Sequence, residues 1–135
     1  AHTPSVVGKI NDTVKQPQLS PPVQLKNDRH WDLIIHAMHD VVHGARGSAR
    51  IIKEGANYDI AGKTGTAQVF SIKQDEKYEK DKVADHLKDH ALFIAFAPVE
   101  KPQLAIAVIV ENGSHGGSVA APIARAIFDQ YLLIP

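Results

Sequence analysis

Lys63, Thr64 and Thr66 bring one cation and two hydroxyls into a single short stretch, Asp59-Ile60-Ala61-Gly62-Lys63-Thr64-Gly65-Thr66-Ala67-Gln68-Val69-Phe70. Gly62-Lys63-Thr64 raises the question of a phosphate-binding P-loop, and the stretch as a whole reads as a strand with a functional edge. The surrounding residues favour a strand, because Ile60, Val69 and Phe70 are β-branched or apolar and the two threonines are β-branched. On a pleat, alternate side chains share a face, so Thr64 and Thr66 are expected opposite Lys63, Gly65 and Ala67. Gly65 leaves backbone open for an extended peptide to lie alongside. A phosphate-binding P-loop is excluded, since its first glycine would fall at Asn57 and a helix would follow directly, whereas here a strand-favouring run follows.

A second group with chemical capacity is Asp32, His36, His39, Asp40 and His43, which fall within a narrow arc if the segment is helical. Histidines four residues apart are the spacing of helical zinc sites. No Cys or Glu joins the set, and the Glu of a His-Glu-x-x-His motif is missing, so the sequence alone reads as a solvated polar face. It assigns no metal and no cofactor.

The elements that must position these groups follow from periodicity. Residues 1–26 read as an extended arm, with Gly8 and four prolines, in which Asn11-Asp12 is a turn joining two short strands. Asn27 or Asp28 caps a helix whose apolar stripe is Trp31, Ile34, Ile35, Met38, Val41, Val42 and Ala45, and Gly44 and Gly47 mark its end. A turn at Gly55-Ala56-Asn57-Tyr58 precedes the motif strand. Lys73 to His90 mixes acids and bases around Val83 and Leu87, the pattern of a solvated loop, placed where a lid over the cleft would be. Ala91 to Ala97 and Leu104 to Val110 are near-continuous apolar runs, which predicts paired strands covered on both faces. Ser118 can cap a final helix in which Val119, Ile123, Ala126, Ile127 and Tyr131 share an apolar side, with Pro122 in its first turn. The predicted architecture over 27–135 is α+β: a three-stranded antiparallel sheet with the Trp31 helix available for one face and the final helix for the other.

At 135 residues the chain is one domain at most. Fifteen basic and fifteen acidic residues leave no imbalance to recruit nucleic acid or an anionic membrane surface. Cysteine is absent, which removes disulfides and thiol chemistry. No segment approaches the roughly 20 apolar residues of a membrane span, and no signal-peptide pattern is present.

Lys63-Thr64-Gly65-Thr66-Ala67-Gln68 resembles the Lys-Thr-Gly strand of penicillin-interacting serine enzymes. Together with Gly47-Ser48-Ala49, the paired apolar strands and the Gly-rich start of the last helix, the chain is similar to the C-terminal third of class B penicillin-binding transpeptidases, the elongation type in particular. The resemblance implies a β-lactamase/transpeptidase-like fold and acyl transfer from a D-alanyl-D-alanine stem peptide of peptidoglycan, with β-lactams trapping the same serine. It implies that the Thr66 backbone N–H is an oxyanion donor and that Lys63, Thr64 and Gly65 bind substrate. It also implies action at the periplasmic side of the bacterial inner membrane, with the anchor and export signal lying upstream, outside this chain. A D,D-carboxypeptidase or β-lactamase of the same fold, or a non-catalytic β-lactam-binding sensor, would carry the same strand.

The family also needs Ser-x-x-Lys, giving nucleophile and base, and Ser-x-Asn. Three residues after Ser5, Ser20, Ser48, Ser71, Ser114 and Ser118 stand Gly8, Val23, Ile51, Gln74, Gly117 and Ala121. None is Lys, and none of these serines has Asn two residues on. The chain is therefore expected to be a fragment, inactive alone, whose partner is the upstream segment of the same domain carrying both motifs.

Overall fold

The structure, a computed structural model, describes residues 9–10, 13–14, 21–69 and 87–133. Two compact units divide the chain, Ala1–His30 and Trp31–Pro135. In the first, β1 (Lys9–Ile10) pairs antiparallel with β2 (Thr13–Val14), as the Asn11-Asp12 turn signal predicts. The Asn27 side chain caps the start of α1 (Arg29–His43), its Oδ1 accepting the Arg29 N–H at 3.0 Å.

Helix α1 ends where glycine replaces side chains. Gly44 and Gly47 N–H groups close the last turns onto Asp40 O and Gly44 O. Its N-terminal stripe is unpartnered among the described residues, since Trp31, Leu33 and Ile34 are exposed and Val42 alone of the helix is buried. A short 3-10 turn, Arg50–Lys53, then leads to β3 (Ala61–Ala67). The charged stretch read as a possible lid lies almost wholly outside the described residues.

Strands β4 (His90–Ala97) and β5 (Leu104–Val110) complete a three-stranded antiparallel sheet in the order β3-β4-β5. The register sets Lys63 against Ile94, Thr66 against Ala91 and Ile94 against Ala107. The α+β expectation and both strand boundaries hold. Coverage of the sheet differs from expectation. Ala91, Phe93, Ala95 and Ala97 are buried on one face of β4, whereas Ile94 is 53% exposed and Ile109 of β5 is 67% exposed. Alternation is therefore present in burial although it is absent from the letters, because both faces of these strands carry apolar side chains.

The buried face receives α2 (Ala121–Leu132) and the C-terminal end of α1 together, and Val42, Ala49, Ile52, Ile60, Phe93, Ala124 and Phe128 form one core cluster. The two helices do not take opposite faces as expected. Helix α2 also turns a different side inward: Ala121, Ala124 and Phe128 are buried, while Ile123, Ile127 and Tyr131 are exposed. Small alanines let the helix approach the sheet, and Phe128 fills the remaining space. Ser118 is not its cap, because a π-helical turn, Gly116–Ala120, runs into the helix and Ala120 occupies the cap position without a side-chain bond. Pro122 does lie in the first turn.

The loop from α1 to β3 is tied to α2 by one polar network. Arg125 Nη1 donates to Ile52 O at 2.6 Å and Glu54 O at 2.7 Å, and its Nε to Asp129 Oδ1 at 2.8 Å. Tyr58 O–H donates to the same carboxylate oxygen at 2.6 Å. Burial and the adjacent Asp129 push the Tyr58 phenol up to about 12. Burial acts to raise the Asp129 carboxyl, but the hydrogen bonds from Arg125 and Tyr58 outweigh it and hold the group below the usual carboxylate range.

Candidate active site

Strand β3 is an edge strand among the described residues, so one side of its backbone is open. The pleat separates its side chains as predicted. Thr64 and Thr66 line a cleft of about 320 Å³ together with Ser48, His115, Gly116, Gly117 and Ser118. Lys63 lines the neighbouring groove with Asp40, Gly44 and Gly47 from the end of α1, and Ser48 borders both. The Lys63 ammonium donates to Thr64 O at 2.6 Å, which holds the cation alongside its own strand.

The floor of the cleft depends on two close backbone approaches. A Cβ on Gly117 would lie 1.9 Å from Ser48 O, and one on Gly116 would lie 2.2 Å from Leu92 O and 2.9 Å from Gly65 O. Only glycine permits the loop after β5 to lie this near Ser48, at Gly117, and this near β3 and β4, at Gly116, which sits beside Gly65. The loop itself is pinned by Asn112, whose N–H donates to His90 Nδ1 at 2.9 Å and whose Nδ2 donates to Lys88 O at 2.8 Å. Asn112 and Ser114 both adopt positive φ, at 56° and 64°, and asparagine tolerates that region better than most residues.

Ser48 is the residue that sequence reasoning left without a task. Its Oγ lies 2.9 Å from Thr64 Oγ1, so one hydroxyl donates to the other and Thr64 is oriented from outside its own strand. The signal was the hydroxyl of Gly47-Ser48-Ala49. Its partner, sixteen positions along, could not be read from spacing.

At the other end of the motif segment, His39 and His43 stack with ring centroids 4.2 Å apart and face Asp59. The Ile60 N–H donates to His43 Nε2 at 3.1 Å, which fixes a neutral ring protonated at Nδ1. Burial lowers the His43 pKa, and the neighbouring His39 lowers it further. Asp32 and His36 of the same helix face do not join this cluster.

Taken together, the site offers two hydroxyls, a tethered cation and an open strand edge beside a glycine-floored cleft, but none of its serines has a lysine placed as Ser-x-x-Lys requires. Groups of these types can hydrogen-bond to a carbonyl or a carboxylate, and among the described residues they include no Ser-x-x-Lys pair.

The family model described as "Penicillin binding protein transpeptidase domain" matches residues 1–129. The chain is 41% identical over 128 residues to the peptidoglycan D,D-transpeptidase MrdA of Haemophilus influenzae, covering 95% of this chain and 20% of that protein. It is 49% identical over 106 residues to MrdA of Acinetobacter baumannii, covering 78% of this chain and 15% of that one. Among solved structures, Pseudomonas aeruginosa PBP2 in complex with WCK 5153 superposes with a TM-score of 0.70 at 42% identity, covering 88% of this chain and 24% of the other. The chain thus spans about a fifth of the length of the curated relatives it matches.

Proposed function

This chain belongs to the penicillin-binding protein transpeptidase family, and on that premise we propose that it forms one wall of the acyl-transfer cleft of an elongation-type peptidoglycan D,D-transpeptidase. The observation that carries the reading is the placement of Lys63-Thr64-Gly65-Thr66 on an open strand edge, with both threonines turned into the cleft floored by Gly116 and Gly117.

A stem peptide ending in D-alanyl-D-alanine lies along β3 as an added strand. A serine from the part of the domain carrying Ser-x-x-Lys attacks the penultimate carbonyl as the lysine of that motif takes its proton, which then goes to the departing D-alanine nitrogen. The carbonyl oxygen takes the electron pair and becomes an oxyanion, which the Thr66 N–H and the serine's own N–H stabilise. Collapse of that intermediate expels D-alanine, and the acyl group passes to the amine of a neighbouring stem peptide. Thr64, oriented by Ser48, and Lys63 supply hydrogen bonds and positive charge for the terminal carboxylate. A penicillin presents the same carbonyl and carboxylate and stays on the serine. The proposal includes action at the periplasmic side of the inner membrane, in the cell-wall synthesis that sets cell shape.

The test is intact-mass spectrometry after treatment with penicillin. The chain alone should gain no adduct; joined by the part of the domain with Ser-x-x-Lys, the adduct should appear on that serine, and a stem-peptide pair should be cross-linked. Turnover to free acid without cross-linking would make it a carboxypeptidase, and an adduct on any serine of this chain would overturn the reading.

A further inference from the structure

Within α1 alone, nothing completes a ligand set around its histidines. The fold supplies the group that the helix lacks. Asp59, from the segment entering β3, brings its carboxylate against two histidines one helical turn apart, and one ligand atom from each of His39, His43 and Asp59 lies within 4.8 Å of the others. We propose that His39, His43 and Asp59 form a divalent transition-metal site, zinc by ligand chemistry, that fastens α1 to the base of the strand carrying Lys63 and Thr64.

Geometry carries the assignment. Zinc bonds of about 2.0–2.1 Å put neighbouring ligands of a tetrahedron about 3.3 Å apart. His39 Nε2 stands 3.4 Å from Asp59 Oδ2, and His43 Nε2 stands 3.9 Å from Asp59 Oδ1. The two imidazoles stack nearly parallel, 11° apart in plane with centroids 4.2 Å apart, so binding turns one partly buried ring out of the stack until both lone pairs and one Asp59 oxygen meet at the ion. Two imidazoles and one carboxylate suit zinc and its transition-metal neighbours, whereas calcium and magnesium prefer sites built of oxygen alone. Asp40 Oδ1 lies 4.0 Å from the other ring nitrogen of His39, near it but beyond direct hydrogen-bond length. With Asp59 well exposed, a fourth position is left to water.

His43 already has the required tautomer, because its Nε2 accepts the Ile60 N–H and its proton sits on Nδ1. An ion at Nε2 takes over that lone pair. Binding therefore exchanges a backbone hydrogen bond for a metal bond, which sets a modest affinity, and places the ion's influence directly on Ile60, the residue before β3. The consequence is a clamp: ion binding holds the end of α1, and with it the Gly44 to Ser48 wall, against the motif strand.

The experiment uses the intact protein, stripped of metal and titrated with zinc chloride and separately with cobalt(II), whose visible absorption reports a tetrahedral site. Wild type is compared with His39→Gln, His43→Gln, Asp59→Asn and, as control, His36→Gln, whose side chain is 78% exposed, lies beside Asp40 and His39 and is outside the three-residue group. The ligand variants should each weaken binding by more than the about 10- to 100-fold that losing an outer partner costs, and should lose the cobalt band. The His36→Gln control should keep both, and zinc should raise the melting temperature of wild type and control alone. Circular dichroism confirms that all variants are folded. Equal metal binding by wild type and Asp59→Asn, loss in His36→Gln as complete as in His39→Gln, or no bound ion at all would each overturn the site.

Discussion

Thr66 and Ser48 divide the site into what a strand shows locally and what only folding brings together. The alternation of Thr64 and Thr66 against Lys63 follows from the period of a pleat and was legible in the letters. The Ser48 to Thr64 contact was not, because nothing in spacing says which hydroxyl a loop residue will meet. In the complete enzyme, Thr66→Pro deletes the N–H proposed as oxyanion donor and should slow acylation by about 100-fold or more, whereas Thr66→Ser should be mild. Stopped-flow acylation of variants verified as folded by thermal melting decides this, and equal rates for Pro and Ser would refute the role. Ser48→Ala removes one hydroxyl-to-hydroxyl bond and should reduce penicillin acylation by about threefold to tenfold, the equivalent of roughly 0.5–1.5 kcal/mol. Ser48→Thr should restore it, since the hydroxyl is kept; unaltered kinetics in Ser48→Ala would remove Ser48 from the binding of Thr64.

Among the elements, strands were easier to read than helix faces. Proline and charge bound β4 and β5 in the sequence, so their limits matched within a residue. Helix α2 offered two apolar sides, and the larger residues Ile123, Ile127 and Tyr131 pointed to the wrong one. The fold chose the side with Ala121 and Ala124 because closeness of packing outweighed the size of any one side chain. What fixes α2 to the rest is Arg125, whose guanidinium satisfies two loop carbonyls and Asp129. Arg125→Ala leaves those groups without partners and should destabilise by about 1.5–3 kcal/mol in urea melts; a change within about 0.5 kcal/mol, the range for an ordinary surface site, would show the network to be incidental. The same network makes an alkaline prediction. A phenol whose pKa is raised to about 12 in the fold contributes stability that is complete below the ordinary tyrosine value and is lost as pH rises through 12. Melting temperature should therefore fall more steeply above pH 10 in wild type than in Tyr58→Phe, and parallel curves would show that Tyr58 is not linked to folding.

At the level of the whole molecule, the open face of the sheet is the feature with the widest consequence. Ile94 and Ile109 stand on it at 53% and 67% exposure, with Leu92 and Phe96 half-buried beside them. A continuous apolar run in both strands was the sequence signal for a doubly covered sheet, and among the described residues only one cover is present. The letters specify the environment of the complete fold, which is why the reading of coverage exceeded what this chain supplies by itself. Given the family, the second cover is proposed to come from the part of the domain that carries Ser-x-x-Lys. Substituting lysine on this face separates the two situations. In the chain alone, Ile94→Lys and Ile109→Lys replace exposed side chains and should change stability by no more than about 0.5 kcal/mol, while reducing the binding of a hydrophobic dye. In the intact protein the same lysines would be buried without a partner and should cost roughly 2 kcal/mol or more, with loss of penicillin labelling as the two parts of the cleft separate. Thermal melts and fluorescent-penicillin labelling of both forms provide the comparison. Small and equal effects in the two forms would mean that nothing packs on this face, and the covering segment would have to be sought elsewhere.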